Sequence, residues 1–374
     1  MLKMFSVSNY RAFRDPITID FTKVRDYKFN DACIQSNLIS KAILYGKNAV
    51  GKSNLGYALM DIRSMLLPNH SKIMGDSLGY LNAYSEESAA AFTYHFKINN
   101  REIRYYYEKR SATEIQFEEL HIDNQQLFMF NFASGEGDFT NLLQYEELKH
   151  LNLDHWDNET SVTRYIITNA KLQELSILKD FNNFVSGMAF METRSSGVAF
   201  EGPRIADKGL TRTIIEEDLV DDFTTFLNHA GINISLKKDV KPDGEKTLYF
   251  DFARPLEFVK NMSSGTRVLT ALYAILRKLD EVSFLYIDEF DANLHFELAE
   301  YVLNLLIQKR NCQIFLTTHN TDLMSNKIMR PDCYFVLSFN GIVSVADATT
   351  RELREGHNLE KLYQSGEFDR TVSE

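Results

Sequence analysis

The apolar positions change period repeatedly along the chain, and each change predicts an element. Between Phe5 and Phe21 apolar and polar residues alternate around Arg14-Asp15-Pro16, which predicts two short strands joined by a turn. Ala42-Ile43-Leu44-Tyr45 is wholly apolar, as expected of a strand covered on both faces. Gly46-Lys47-Asn48-Ala49-Val50-Gly51-Lys52-Ser53 comes next, and Leu55, Leu59, Ile62 and Leu66 then keep helical spacing. Strand, glycine-bearing loop and helix follow in that order.

From Ala90 to Ile122 the period falls to two, with an Asn99-Asn100 turn, which predicts an antiparallel meander. From about Asn141 to His229 the period is mostly helical, with interruptions near Ser195-Ser196-Gly197 and Gly202-Pro203 and an acidic run at Glu216-Glu217-Asp218 and Asp221-Asp222. This span reads as an inserted helical lobe. Beyond Gly231, strands are expected at Asn233 to Leu236 and Thr247 to Phe252, then a helix at Val268 to Leu279, preceded by Met262-Ser263-Ser264-Gly265-Thr266-Arg267. Phe284 to Ile287 and Gln313 to Thr318 are apolar strands, ending in Asp288-Glu289 and at His319, with a helix at Leu298 to Gln308 between them. Short buried strands that carry polar residues at their C-terminal ends predict an α/β fold with its ligand site along that edge.

Composition narrows the function classes. With 41 Lys and Arg against 52 Asp and Glu, the net charge of −11 opposes a chain that wraps nucleic acid unaided, because phosphate binding needs clustered cations. Any nucleic-acid contact is expected through a complex. No apolar run reaches 18 residues and the alternating N-terminus lacks the apolar centre of a signal peptide, so a cytoplasmic protein with no membrane contact is expected. Cys33, Cys312 and Cys333 are widely spaced, which predicts free buried thiols rather than zinc or redox chemistry.

Gly46-x4-Gly51-Lys52-Ser53 fits the P-loop pattern in full. Its glycines let backbone N–H groups turn toward phosphate oxygens, Lys52 neutralises the β and γ phosphates, and Ser53 ligates Mg²⁺. Such a loop needs a carboxylate for the metal, and Asp288 at the end of an apolar strand suits that role. Glu289 beside it is placed to polarise the attacking water, and His319 at the tip of the next strand to hydrogen-bond the γ-phosphate. ATP and Mg²⁺ are therefore the expected ligands, with Glu289, His319 and Lys52 as the catalytic set and Ser53 and Asp288 on the metal.

With these motifs the chain resembles the ABC-type ATPases of the SMC, RecF and overcoming-lysogenization-defect group, and within it the short AAA-type ATPases of bacterial anti-phage and restriction-linked operons. Asn9-Tyr10-Arg11-Ala12-Phe13, the Asn48 variant of the P-loop, Ser263-Ser264-Gly265-Thr266-Arg267 as signature motif, Ile287 to His295 as Walker B and D-loop, and Thr317-Thr318-His319-Asn320 as switch segment carry the likeness. Asn358 to Gly366 resembles the closing motif of the narrower group. The resemblance implies an ABC-ATPase head with a mixed or parallel P-loop sheet, divided into an N-terminal lobe over 1–138, the helical lobe over 139–232 and a C-terminal lobe over 233–374.

It also implies a homodimer or higher even oligomer in which Ser263 and Gly265 of one copy cap the γ-phosphate held by Gly46, Asn48, Gly51, Lys52, Ser53 and Asn54 of the other. Asp291 lies along the seam, and Arg11 is a further phosphate contact. The expected output is control of a separately encoded effector, a nuclease or toxin, in anti-phage defence. The alternative is a RecF-like repair ATPase that binds DNA itself. The Ser-Ser-Gly-Thr signature departs from the Leu-Ser-Gly-Gly-Gln of transporters, no Q-loop glutamine is placed, and Glu367-Phe368-Asp369 departs from the aromatic-glycine ending of the narrower group. A nuclease domain fused after the switch histidine would need about 100 residues or more, and fewer follow His319.

Overall fold

The computed structural model describes residues 1–68, 79–153, 156–194, 197–203, 211–241 and 243–368. In chain order the N-terminal part comprises β1 (Leu2–Ser8), β2 (Ile17–Asp20), β3 (Ile34–Gln35), β4 (Leu38–Ile39), β5 (Lys41–Tyr45), α1 (Lys52–Met60) and α2 (Ile62–Leu66). The meander follows as β6 (Ala90–Ile98), β7 (Arg101–Lys109), β8 (Ile115–Ile122), β9 (Gln125–Asn131) and β10 (Glu136–Asp138). Next come α3 (Val162–Asn169), α4 (Ser176–Ser186), β11 (Met188–Arg194), β12 (Gly197–Glu201), α5 (Arg212–Glu216) and α6 (Val220–His229). The last part holds β13 (Leu236–Val240), β14 (Lys246–Phe250), β15 (Leu256–Glu257), α7 (Phe258–Asn261), α8 (Ser264–Arg277), β16 (Phe284–Asp288), α9 (Phe296–Ile307), β17 (Gln313–Thr317), β18 (Tyr334–Ser338), β19 (Gly341–Ser344) and α10 (Leu359–Gln364).

These strands build two seven-stranded sheets. One is antiparallel, in the order β10-β9-β8-β7-β6-β1-β2, and gathers the expected meander together with the first two strands. The other runs β12-β11-β16-β17-β5-β18-β19, with its five inner strands parallel and its two edges antiparallel. Every residue of β5, β16 and β17 is buried, which is why these strands read as continuous apolar runs.

The span 139–232, expected as a helical lobe, carries α3 to α6 but also β11 and β12, which belong to the parallel sheet. Met188 to Glu192 pair in parallel with Phe284 to Asp288. A short apolar run directly after a helix does not reveal its own period, so β11 escaped the pattern. Of the two interruptions expected in this span, Ser195-Ser196 lies outside the described residues, and Gly202-Pro203 follows the end of β12. Other bounds differ as well. The strand expected at Asn233 to Leu236 begins only at Leu236, and the helix expected from Val268 starts at Ser264.

Buried polar groups hold the layers together. Gln313, at the start of β17, donates to the carbonyls of Leu2 and Ile39 and accepts the Leu2 N–H, joining the two sheets. Asp61, between α1 and α2, accepts from the Lys109 ammonium at 3.1 Å and from the hydroxyls of Tyr107 at 3.0 Å and Tyr80 at 3.1 Å. Lys109 and Asp61 are both almost wholly buried, so each compensates a charge that water cannot reach. Glu118 of β8 accepts from the Val162 and Thr163 N–H groups and from the hydroxyls of Tyr105, Ser161 and Thr163, fixing the N-terminus of α3. Arg63 of α2 donates to the carbonyls of Val185, Ser186 and Met188 and pairs with Glu201 at 3.4 Å.

Lys109→Met is expected to cost about 3–5 kcal/mol, because it leaves the Asp61 carboxylate buried without its cation. The double variant Asp61→Leu with Lys109→Met should lose less than that single variant in urea unfolding; a larger loss would mean that the pair is not the unit. A second expectation concerns pH. Burial pushes the Glu201 carboxyl up from 4.5 to about 7, against the pull of Arg63. A raised folded pKa gives stability that is complete below the unfolded value and is lost as pH rises through the folded one. Glu201→Gln should therefore gain melting temperature relative to the unmodified protein as pH is raised from about 5 to about 8. A difference independent of pH would contradict the assignment.

Candidate functional site

The loop Gly46–Ser53 turns between β5 and α1, and local sterics explain its residues. Gly51 has φ +108°, and a Cβ there would fall 2.9 Å from the Phe13 ring and 3.1 Å from the Ala12 Cβ. The Asn9–Phe13 segment thus closes one flank of the loop. At Gly46 a Cβ would fall 2.7 Å from the Leu337 carbonyl oxygen, so β18 closes in on the other flank. Gly56 lets α1 lie on the sheet, since a Cβ there would meet the Phe190 and Tyr286 rings at 2.6 Å. Tyr286 also donates its hydroxyl to the Lys52 carbonyl at 2.7 Å.

Lys52 is buried at the mouth of the loop, where its ammonium donates to the Gly46 carbonyl at 3.0 Å, the Lys47 carbonyl at 3.3 Å and His319 Nε2 at 2.9 Å. Burial lowers its pKa, opposed by Asp288 and Glu289. Burial and the Lys52 charge likewise lower that of His319, against three carboxylates, so the imidazole is neutral near pH 7 and Nε2 accepts. The Ser53 hydroxyl donates to Asp288 Oδ2 and the Thr317 hydroxyl to Oδ1, the latter at 2.6 Å. Asp288 is 2% exposed; burial raises its pKa, the two hydroxyl bonds lower it, and Glu192 and Glu289 add repulsion.

Glu289 follows with φ +49°, a left-handed conformation uncommon for a residue with a Cβ. Its N–H donates to the Thr317 hydroxyl at 2.8 Å, and the next N–H, of Phe290, to the Thr317 carbonyl at 3.1 Å. The side chain, about half exposed, stands with Oε1 3.7 Å from His319 Nε2. Asp291 Oδ2 accepts from the Thr318 hydroxyl at 2.7 Å, and burial raises its pKa. Lys52, Ser53, Asp288, Glu289, Asp291 and His319 therefore share one edge of the parallel sheet. Asn48 is exposed on the loop, and Asn54 is half-buried in the first turn of α1.

Arg11 belongs to the segment that abuts Gly51. Its guanidinium carbon lies 4.9 Å from the Tyr57 ring centre and 5.4 Å from that of Tyr10. Ser263 and Gly265 lie elsewhere, at the start of α8. Ser263 is the N-cap, its hydroxyl accepting the Thr266 N–H at 3.1 Å, and a Cβ on Gly265 would fall 2.9 Å from the Asn293 carbonyl oxygen. Among the described residues no hydrogen bond joins them to Gly46–Ser53.

Two contributors were not foreseen. Thr317 bridges Asp288 and Glu289, as described. Glu192 of β11 stands opposite Asp288 in the last pair with β16 and accepts from the Tyr57 hydroxyl at 2.9 Å, adding a carboxylate to the same edge. The signal for Thr317 was its place two residues before His319; nothing in the local pattern pointed to Glu192.

The arrangement suits an anion bound by loop N–H groups at the α1 N-terminus and a hard cation shared by a hydroxyl and a carboxylate. Among the described residues no helix is long and apolar enough to cross a membrane. No curated protein matches the chain. Among solved structures it aligns with the Smc head bound to the C-winged helix domain of ScpA, at TM-score 0.45 and 15% identity, covering 85% of this chain and 90% of that one. It also aligns with the SMC head domain from Thermotoga maritima, at TM-score 0.44 and 13% identity, covering 92% and 98%. A family model described as "AAA domain, putative AbiEii toxin, Type IV TA system" matches residues 41–325, from β5 through the P-loop to just beyond His319. With most of its length inside that match, the chain belongs to this AAA-domain family and has a nucleotide-binding ATPase fold.

Proposed function

We propose that this protein binds and hydrolyses ATP with Mg²⁺, that two copies close around the nucleotide, and that the dimer regulates a separately encoded nuclease or toxin in bacterial anti-phage defence. The observation that carries the reading is the convergence of Lys52, the Ser53–Asp288 pair, Glu289 and His319 on one strand edge beside a glycine loop. Lys52 exchanges its carbonyl and imidazole partners for phosphate oxygens, and loop N–H groups bind the remainder. Ser53 and Asp288 are the residues that would hold Mg²⁺, which offsets phosphate charge when bound. Glu289, exposed enough to reach water and oriented through Thr317, takes the proton of the attacking water. His319, kept neutral, donates to a γ-phosphate oxygen in the tautomer that carries its proton on Nε2.

The dimer is supported by the signature segment. Ser263 caps a 14-residue helix whose first turn holds Ser264 and Gly265, and the backbone N–H groups of such a helix start suit an anion. Asp291, at the base of the adjacent loop, lies along the proposed seam. The family description, which names a toxin and a type IV toxin–antitoxin system, supports a place in defence. The net charge of −11 supports nucleic-acid contact through a complex rather than by this chain. ATP-dependent, salt-sensitive DNA binding by the isolated protein would favour the repair reading instead.

Glu289→Gln is expected to slow ATP hydrolysis by about 100-fold or more while ATP still binds and the dimer persists on size exclusion. Normal turnover in that variant removes Glu289 from the role of base. In a mixture of Lys52→Ala and Ser263→Arg protomers, one of the two composite sites in each heterodimer combines an intact loop with an intact signature. Hydrolysis should therefore return in the mixture but not in either parent. Confirmed heterodimers as inactive as the parents would refute completion of the site from the second copy.

A further inference from the structure

Helices α6, α8 and α9 border a cavity of about 330 Å³ that is partly open to solvent. Phe226 of α6 and Tyr273 of α8 form its buried side, with ring centres 5.2 Å apart. Tyr301 and Leu305 of α9, both partly exposed, line it as well, and the Tyr301 ring centre lies 6.4 Å from that of Phe226. A cavity of this size, walled by aromatic rings with a few polar groups among them, is of the kind that holds small organic ligands.

The charged groups around it are unequal in sign. Asp222 is the one carboxylate in the lining, against Arg277, Lys309 and the ring of His229. Its charge is already met, because it accepts from the Tyr273 hydroxyl and lies 3.8 Å from the Arg277 guanidinium. Among the described residues the Lys309 ammonium, the His229 ring and the Tyr301 hydroxyl have no hydrogen-bond or ion-pair partner. Each cation stands at or just past the C-terminal end of a helix, where it offsets the helix dipole. That role needs an exposed side chain at each end; it does not need the three to line one aromatic-walled cavity, in a chain whose net charge is −11.

We infer that the cavity between α6, α8 and α9 is a binding site for a small molecule that joins a planar aromatic ring to an anionic group. The ring packs against Phe226, Tyr273 and Tyr301, and the anion takes donors from Lys309 and His229. Arg277, held by Asp222, adds positive potential beside them. The site is separate from the nucleotide loop and from Ser263, which caps the other end of the 14-residue α8, about 20 Å away along the helix. The inference does not depend on the ATP-binding reading.

The probe is indole-3-acetate, titrated into the full chain by calorimetry beside indole-3-acetamide, which keeps the ring without the charge, and acetate, which keeps the charge without the ring. Indole-3-acetate should bind on the order of 10-fold more tightly than the amide, the margin of a charge-assisted hydrogen bond, and acetate should not bind measurably. Lys309→Ala, at an exposed position, should remove that margin and leave the amide's affinity as it was. Tyr301→Ala should weaken both indole ligands. Lys52→Ala should change neither, since its side chain lies in the nucleotide loop. Equal binding of the acid and the amide would overturn the inference, and so would unchanged binding in Lys309→Ala. Loss of indole-3-acetate binding in Lys52→Ala would move the ligand to the nucleotide loop and overturn it as well, as would failure of the unaltered protein to bind indole-3-acetate better than acetate.

Discussion

Three parallel strands in fixed register are the constraint on which the site depends. β5, β16 and β17 pair so that Ile287 stands opposite Leu316 and Leu44 opposite Thr317. The residues immediately beyond, Asp288, His319 and the start of the loop at Gly46, must then emerge at one level. Slipping one strand by a residue would turn its side chains to the other face and separate Asp288 from both Ser53 and Thr317. The strands are apolar throughout because both faces are covered, and polarity is allowed only where the strands end. The polar side chains of the candidate site and the packed core are thereby separated along the same strands.

The site edge is in turn braced from the antiparallel sheet. Asp61 ends α1 and is neutralised by Lys109 of β7, so the helix that begins at the P-loop is anchored at its far end by a buried charge pair. The close seat of α1 on Phe190 and Tyr286 fixes its height above the sheet. Gln313 stitches the opposite end of β17 to β1. The loop thus sits on a helix and a strand whose remote ends are both tied to a second layer, which favours a site organised before its ligand arrives.

Much of this was legible because the chemistry constrains residue type locally. A phosphate loop needs glycines, a lysine and a hydroxyl at set spacings, and an apolar strand that ends in Asp-Glu or at His marks its own C-terminal end. What was not legible depends on residues distant in the chain. Glu192 joins the edge through pairing of β11 with β16, and β11 itself is an apolar stretch of a few residues directly after α4, too short to show its period. Lys109 and Asp61 are partners across a fold that neither neighbourhood announces. Ser263 and Ser264 read as a loop because serine disfavours helix interiors, yet the same hydroxyl chemistry makes Ser263 the cap that starts α8.

The contact of Gly265 with the Asn293 carbonyl has a mechanical side. With no space for even a methyl group between them, the first turn of α8 and the loop after β16 cannot slide past one another in the direction of that contact. The helix terminus and the loop after β16 therefore meet at the level of the backbone. A methyl group on Gly265 would have to displace the loop after β16, which begins at Glu289, four positions before Asn293.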